Sequence, residues 1–207
     1  MSHPSQPDFW NQRFEAGQMP WEFAGVPADL QKFLKQKSKG SAAPSRGRVF
    51  IPGCGSCHEV RAFSDAGFEV TALDFAPKAI ERARKLAGPA LANQIVLGDF
   101  FTHDLPAGSF DYVYERTFLC SLTPDRREAY RNRVFSLLKP GGYLVGYFYY
   151  QIPELSKGPP FGFAWGTADE LFARHFILTK DEPVADSLPL FAGHERWQEQ
   201  RRTSFTG

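Results

Sequence analysis

Directly after the apolar run Val49-Phe50-Ile51 comes Pro52-Gly53-Cys54-Gly55-Ser56, and about 20 positions further on stands Asp74. Glycines at 53 and 55 let backbone N–H groups approach a ligand with no Cβ in the way, and a carboxylate at that spacing accepts hydrogen bonds from ribose hydroxyls. The chemistry indicated is recognition of a nucleoside. A tight strand-to-helix turn with no ligand is the plain alternative. A dinucleotide-dependent dehydrogenase would carry a third glycine where a helix packs on the strand, and position 58 is His58. Pyrophosphate binding is therefore disfavoured, and adenosine without phosphates stays open.

Further candidates fall at the carboxyl ends of other strand-like runs, where open α/β sheets bind their ligands. Asp99 and Phe100 follow Ile95–Leu97, and Glu115-Arg116 follows Phe110–Tyr114. Asp74 is placed for a ribose, and Asp99 with Phe100 for the edge and face of an adenine; Asp99 equally suits a capped turn. Cys54-Gly-Ser-Cys57-His58 contains a C-x-x-C, but no second such pair follows, so metal or redox use is disfavoured and small side chains in a crowded loop are expected. His194-Glu195-Arg196-Trp197 is a second polar cluster, suited to an acceptor pocket or to a charged strand edge.

To position these residues the chain alternates strand-like and helix-like runs, the pattern of an α/β, Rossmann-like doubly wound sheet with helices on both faces. Strands are expected at 48–51, 69–74, 95–97, 110–114 and 143–150, with late candidates at 177–180 and 196–202 whose pairing is open. A helix from about Cys57 turns Val60 and Phe63 inward and closes at Gly67. Pro77 opens another, with Ala79, Ile80, Ala83 and Ala87 on one face. Thr123-Pro124 is expected to cap a helix carrying Tyr130, Val134, Leu137 and Leu138, ended by Lys139-Pro-Gly-Gly142. Gly158-Pro-Pro-Phe161 reads as a rigid turn, and Thr167-Ala-Asp-Glu170 as a capping box.

At 207 residues and 43% hydrophobic content, one core is expected: a single domain in which residues 1–47 form an extension and flexible linker and 48–207 the α/β core. With 24 lysines and arginines against 23 acids, no broad field selects nucleic acid or an anionic membrane, and a small, neutral partner fits better. No signal-like start and no apolar run of about 18 residues is found, and three cysteines argue against a disulfide framework, so a cytoplasmic protein is expected.

Taken together, the motifs resemble class I S-adenosylmethionine-dependent methyltransferases, and within them the thiopurine and thiol/halide S-methyltransferases. Phe50-Ile-Pro-Gly-Cys-Gly55 looks like the F-x-P-x-C-G cofactor loop, and Phe110-Asp-Tyr-Val-Tyr-Glu-Arg116 like the F-D-x-I-x-D-R segment of the thiopurine branch. Thr117–Pro124 is closer to the F-F-C-A-I-x-P of the plant thiol and halide branch, and Gly158-Pro-Pro-Phe161 to the G-P-P-F/Y of both. His194–Trp197 is similar to the E-R-H-x-x-W of the thiopurine branch. Two positions depart from the pattern: Glu115 stands where aspartate is usual, and Arg116 where the halide branch has tyrosine.

The resemblance implies a seven-stranded sheet ordered 3-2-1-4-5-7-6 under an N-terminal helical lid. It implies S-adenosyl-L-methionine as donor, S-adenosyl-L-homocysteine as product, and methyl transfer to a small thiol or thiopurine-like sulfur. Halide, thiocyanate or selenium acceptors, and a non-catalytic adenosine-binding protein, are the alternatives. By the same resemblance Trp10, Phe14 and Trp21 cover the cofactor, and Gly53, Cys54, Gly55, Asp74, Phe75, Asp99, Phe100 and Glu115 hold it. Arg116 faces the acceptor as the catalytic cation, Arg196 contacts it, and no metal takes part. The aromatic cluster could also be plain core, and Arg116 a structural partner of Glu115. A monomer is expected, with oligomers left open.

Overall fold

The computed structural model describes residues 3–38, 46–151 and 158–204. Seven strands form one sheet in the order β3-β2-β1-β4-β5-β7-β6, with β1 Arg48–Pro52, β2 Glu69–Asp74, β3 Ile95–Leu97, β4 Phe110–Glu115, β5 Leu138–Tyr149, β6 Phe176–Pro183 and β7 Glu195–Arg202. This is the expected order, and the last strand in the chain runs antiparallel to both β5 and β6. The chain divides into two compact units, Met1–His103 and Asp104–Gly207.

In the first unit β1, β2 and β3 are parallel and in step: Pro52 lies level with Leu73, and Asp74 with Leu97. Gly53, Asp74 and Asp99 therefore emerge at one edge of these three strands. Helix α1 (Pro7–Glu15) and helix α2 (Ala28–Ser38) precede β1. Helix α3 (Glu59–Asp65) buries Val60 and Phe63 completely and stops before Gly67, whose φ of 89° suits a residue without Cβ. Helix α4 (Pro77–Ala87) starts on Pro77 and buries Ala79, Ile80, Ala83 and Ala87 along one face, as the spacing requires. Lys37 and Ser38 of the expected linker continue α2, while 39–45 lie outside the described residues.

In the second unit four expectations need correction. Helix α5 spans Arg127–Leu137, so Leu138 leaves it and begins β5. Between the pairs Phe110–Leu138 and Tyr112–Tyr143 the register shifts, so Lys139–Gly142 bulge out of β5 instead of preceding it. Thr123 caps through its carbonyl, not its hydroxyl: Arg126 N–H donates to Thr123 O at 2.9 Å in a short 3-10 turn, Pro124–Arg126, ahead of α5. The capping box at 167–170 is not made. The Thr167 hydroxyl donates to Ala164 O at 2.7 Å, and Gly166 takes the cap position of helix α6 (Thr167–Ala173). The late strands pair antiparallel, with Phe176 opposite Arg202 and Pro183 opposite Arg196.

Among the described residues no helix is long and apolar enough to cross a membrane.

Candidate functional site

The glycine loop is built from the ends of β1 and β2. Gly53 and Gly55 take φ of 54° and 52°, left-handed values that L side chains rarely adopt. Asp74 is buried and ties the loop down: Oδ2 accepts the Gly55 N–H at 2.9 Å and Oδ1 the Ala76 N–H at 2.8 Å. Burial pushes its pKa up, against the pull of the N–H groups of Ala76, Gly55 and Phe75. A carboxylate has about four acceptor positions, more than these N–H groups fill, so holding the loop does not exhaust Asp74. The ladder continues past the strands, Cys54 N–H donating to Leu73 O and Gly98 N–H to Asp74 O. Asp99 makes the turn weighed for it, its Oδ1 accepting the Phe101 N–H at 2.7 Å. Phe100 is buried, its ring parallel to Phe50 at a centroid distance of 6.2 Å.

Three aromatic rings gather beside this loop. Trp21 meets Trp10 edge-on at 5.4 Å and Phe14 at 6.1 Å, and all three are half-buried, whereas Phe9 beneath them is buried. Trp10 is fixed by its indole N–H, which donates to Pro4 O at 2.7 Å. A Cβ placed on Gly55 would stand 3.6 Å from Cζ of Phe14, so the Phe14 ring edge reaches the loop itself. Asn11 accepts the Lys78 N–H at 3.0 Å, satisfying one of the unpaired donors at the start of α4 from a side chain of α1. The aromatic segment is thus anchored, with its rings neither exposed nor consumed as core.

Cys54 and Cys57 share a hydrogen bond that, with burial, holds the Cys54 thiol well above its ordinary pKa, and burial also raises Cys57. Protonated thiols are poor metal ligands and poor nucleophiles. Among the described residues no group of three or more histidines, cysteines and acids could hold a metal ion.

The second unit carries its own buried acid. Glu115, at the end of β4, accepts the Leu119 N–H at 2.8 Å and the Tyr130 hydroxyl at 2.6 Å. Burial pushes its pKa up to about 7, in spite of those donors and the Phe118 N–H. Opposite it in β5 sits Gly146, at φ 143°, where a Cβ would collide with the Glu115 backbone carbonyl. Arg116 lays its guanidinium over the Tyr147 ring, 4.5 Å from the centroid. Arg196 is engaged on β6, its Nε 2.6 Å from Asp181 Oδ1 and its Nη2 3.1 Å from Asp181 O.

The sequence profile described as thiopurine S-methyltransferase matches residues 5–202. The chain belongs to the thiopurine S-methyltransferase family. Membership makes it a methyltransferase, with S-adenosylmethionine implied as donor and a small molecule as acceptor. A probable thiol methyltransferase 2 of Arabidopsis thaliana is 34% identical over 73% of this chain and 66% of its own length, just short of two thirds. A thiocyanate methyltransferase 1 of Brassica oleracea is 30% identical over 78% and 70% of the two chains. A thiopurine S-methyltransferase of Vibrio atlanticus is 28% identical over 88% of both. Among solved structures, a Burkholderia thailandensis 1,6-didemethyltoxoflavin-N1-methyltransferase with bound S-adenosylhomocysteine has the same fold, with a TM-score of 0.71 at 19% identity over 99% of this chain and 92% of that one.

In this thiopurine methyltransferase family member, several residues escaped sequence reasoning. Glu22, Ser56 and Arg82 join His58 in a polar network beside the glycine loop. In the sequence His58 stands where a dehydrogenase would carry a third glycine and ends the Cys54-Gly-Ser-Cys57-His58 run, and neither feature points to Glu22. By sequence Tyr130 falls on the apolar face of its helix, and Tyr147 suits either the lining of an apolar acceptor pocket or plain strand burial; their contacts with Glu115 and Arg116 come from elements that spacing does not bring together. Gly146 inside an otherwise bulky strand was the legible signal, since a strand glycine often marks close backbone approach.

Proposed function

We propose that the chain, working as one methyltransferase domain with residues 1–47 as its lid, transfers a methyl group from S-adenosylmethionine to a small thiol or thiopurine-like sulfur by in-line displacement. The observation that carries this reading is a glycine loop pinned by a buried carboxylate beside three anchored aromatic rings, in a chain matched from residue 5 to 202 by the family profile. These residues suit the donor. Gly53 and Gly55, without Cβ, let the donor approach the loop on either side of Cys54, Asp74 keeps an acceptor position for a ribose hydroxyl, and Phe75, Asp99 and Phe100 are proposed around the adenine. The faces of Trp10, Phe14 and Trp21 suit a sulfonium. When bound, S-adenosylmethionine supplies an activated methyl group with its leaving group already in place, so alignment and water exclusion are the protein's main tasks.

From the second unit, Arg116 is proposed as the cation that favours the thiolate of the acceptor, a thiol having a pKa of about 8.5 before any such help. Arg196 is proposed as a further acceptor contact and Glu115 as a donor-side acid. The Brassica relative's name supports thiocyanate as a second acceptor to test. A monomer with neither nucleic acid nor membrane as partner accords with the balanced charge, and the free thiols of Cys54, Cys57 and Cys120 support a cytoplasmic setting. Calorimetry with S-adenosylhomocysteine, followed by a panel of thiols, thiopurines, halides and thiocyanate assayed for methyl transfer, tests the proposal. Binding and turnover of a sulfur acceptor are expected; no binding at high micromolar ligand would remove the donor assignment.

A further inference from the structure

Trp21 lies in a stretch, residues 16–27, that has no helix or strand to hold it. Its backbone is fastened by turns such as Glu22 N–H to Met19 O and Gly25 N–H to Phe23 O. The next residue, Glu22, leaves this stretch and reaches the glycine loop. Its Oε1 lies 2.7 Å from Nε2 of His58, the cap residue just before α3, and 3.2 Å from Nη2 of Arg82 on α4. Arg82 Nη2 is 3.5 Å from the other carboxylate oxygen, and its Nε donates to the Ser56 hydroxyl at 2.7 Å. One guanidinium therefore spans from Ser56, next to Gly55, to Glu22, next to Trp21. The carboxylate is only 15% exposed, where charge-assisted hydrogen bonds keep much of their strength. Burial raises the Glu22 pKa, but His58, Ser56 and Arg82 lower it by more, so the acid is held ionised below its ordinary range.

We propose that Glu22 is a positioning residue for the methyl donor: its grip on His58 and Arg82 locks the Trp10–Phe14–Trp21 roof onto the glycine loop. The inference rests on the donor reading above. A roof held in place before the donor arrives spares the complex the ordering of a loosely fastened segment. If the clamp is lost, the competent arrangement is populated only part of the time, and apparent donor affinity falls in proportion to that fraction. The hydrogen-bond partners of Glu22, His58 and Arg82, are not among the residues proposed to hold the donor or the acceptor, so its removal acts through its neighbour Trp21.

The test is calorimetric binding of S-adenosylhomocysteine to the full chain and to Glu22→Ala, His58→Ala, His58→Gln and, as a surface control, Glu81→Gln. Glu22→Ala is expected to weaken binding about tenfold to thirtyfold and to raise the donor KM by more than it lowers kcat. His58→Ala is expected to weaken binding less, and His58→Gln, whose amide nitrogen can donate from much the same place as Nε2, to restore it to within about twofold. Glu81→Gln should bind as wild type does. Wild-type binding combined with unchanged affinity in both Glu22→Ala and His58→Ala overturns the clamp and leaves the donor reading standing. Absence of wild-type binding overturns both. If Glu22→Ala fails to fold, the histidine pair decides: equal weakening in the two variants would mean that restoring a hydrogen-bond donor to Glu22 does not restore binding, and would overturn the proposal.

Discussion

Asp74 closes β2 in the first unit and Glu115 closes β4 in the second, and each buries a carboxylate with both oxygens engaged. Their partners differ in kind. Asp74 is held by backbone N–H groups alone, from Gly55, Ala76 and Phe75, which any residue but proline would offer at those positions provided the loop can adopt its shape. Glu115 is held by the N–H groups of Leu119 and Phe118 and by a phenol that only tyrosine supplies. The first arrangement depends on conformation, hence on the two left-handed glycines. The second depends on a particular side chain on α5 and on the missing side chain of Gly146. Glu115 is also the acid pushed up to about 7, so its unit is the one whose stability should respond to pH near neutrality.

Four measurements would break or sharpen this contrast. Gly146→Ala places a methyl group against the Glu115 backbone, and a loss of about 3 kcal/mol or more is expected in urea denaturation; a smaller loss would show that β4 and β5 can separate cheaply. Glu115→Gln comes next. With an ordinary value of 4.5 and a folded value of about 7, the folded state binds the Glu115 proton more tightly than the unfolded one. That preference is complete below pH 4.5 and is lost as pH rises through 7. The wild type should therefore lose about 3 kcal/mol from this group between pH 4.5 and 8, and the glutamine variant should lack that part of the decline.

Asp74→Ala should weaken S-adenosylhomocysteine binding by about 1 to 3 kcal/mol in calorimetry, with little change in the pH dependence that Glu115 imposes. Equal affinity would confine Asp74 to holding its loop. The smallest expected effect is that of Arg116→Ala, a fall of about tenfold in turnover with a thiol and a change of less than about twofold in donor affinity. An unaltered rate would leave Arg116 as a structural partner of Tyr147.

Local patterns explain what could be read in advance. The left-handed glycines, Pro77 at the head of α4 and the single apolar face Ala79, Ile80, Ala83, Ala87 are each set by neighbours a few residues away. Asp74 was legible because parallel strands in step carry the ends of β1 and β2 to one edge, so a spacing along the chain becomes a position in space. The errors have the same origin. Lys139–Gly142 has the composition of a helix stop and turn, but pairing with β4 draws Leu138 into the sheet and leaves the four residues as a bulge. Thr167–Glu170 has the letters of a capping box, but the Thr167 hydroxyl finds Ala164 O closer to hand.

The sequence by itself determined the strand and helix alternation, the glycine loop, the acid that answers it and the family to which these belong, since all of them depend on residue type and short-range spacing. Only the tertiary structure decided who holds whom. Glu22 meets His58 and Arg82 across 36 and 60 positions, Tyr130 meets Glu115 from another element, and Arg196 is engaged by Asp181 on the adjoining strand. Hydrogen bonds and ring contacts reach only a few ångströms, so such partners exist only once the strands have set the distances between them.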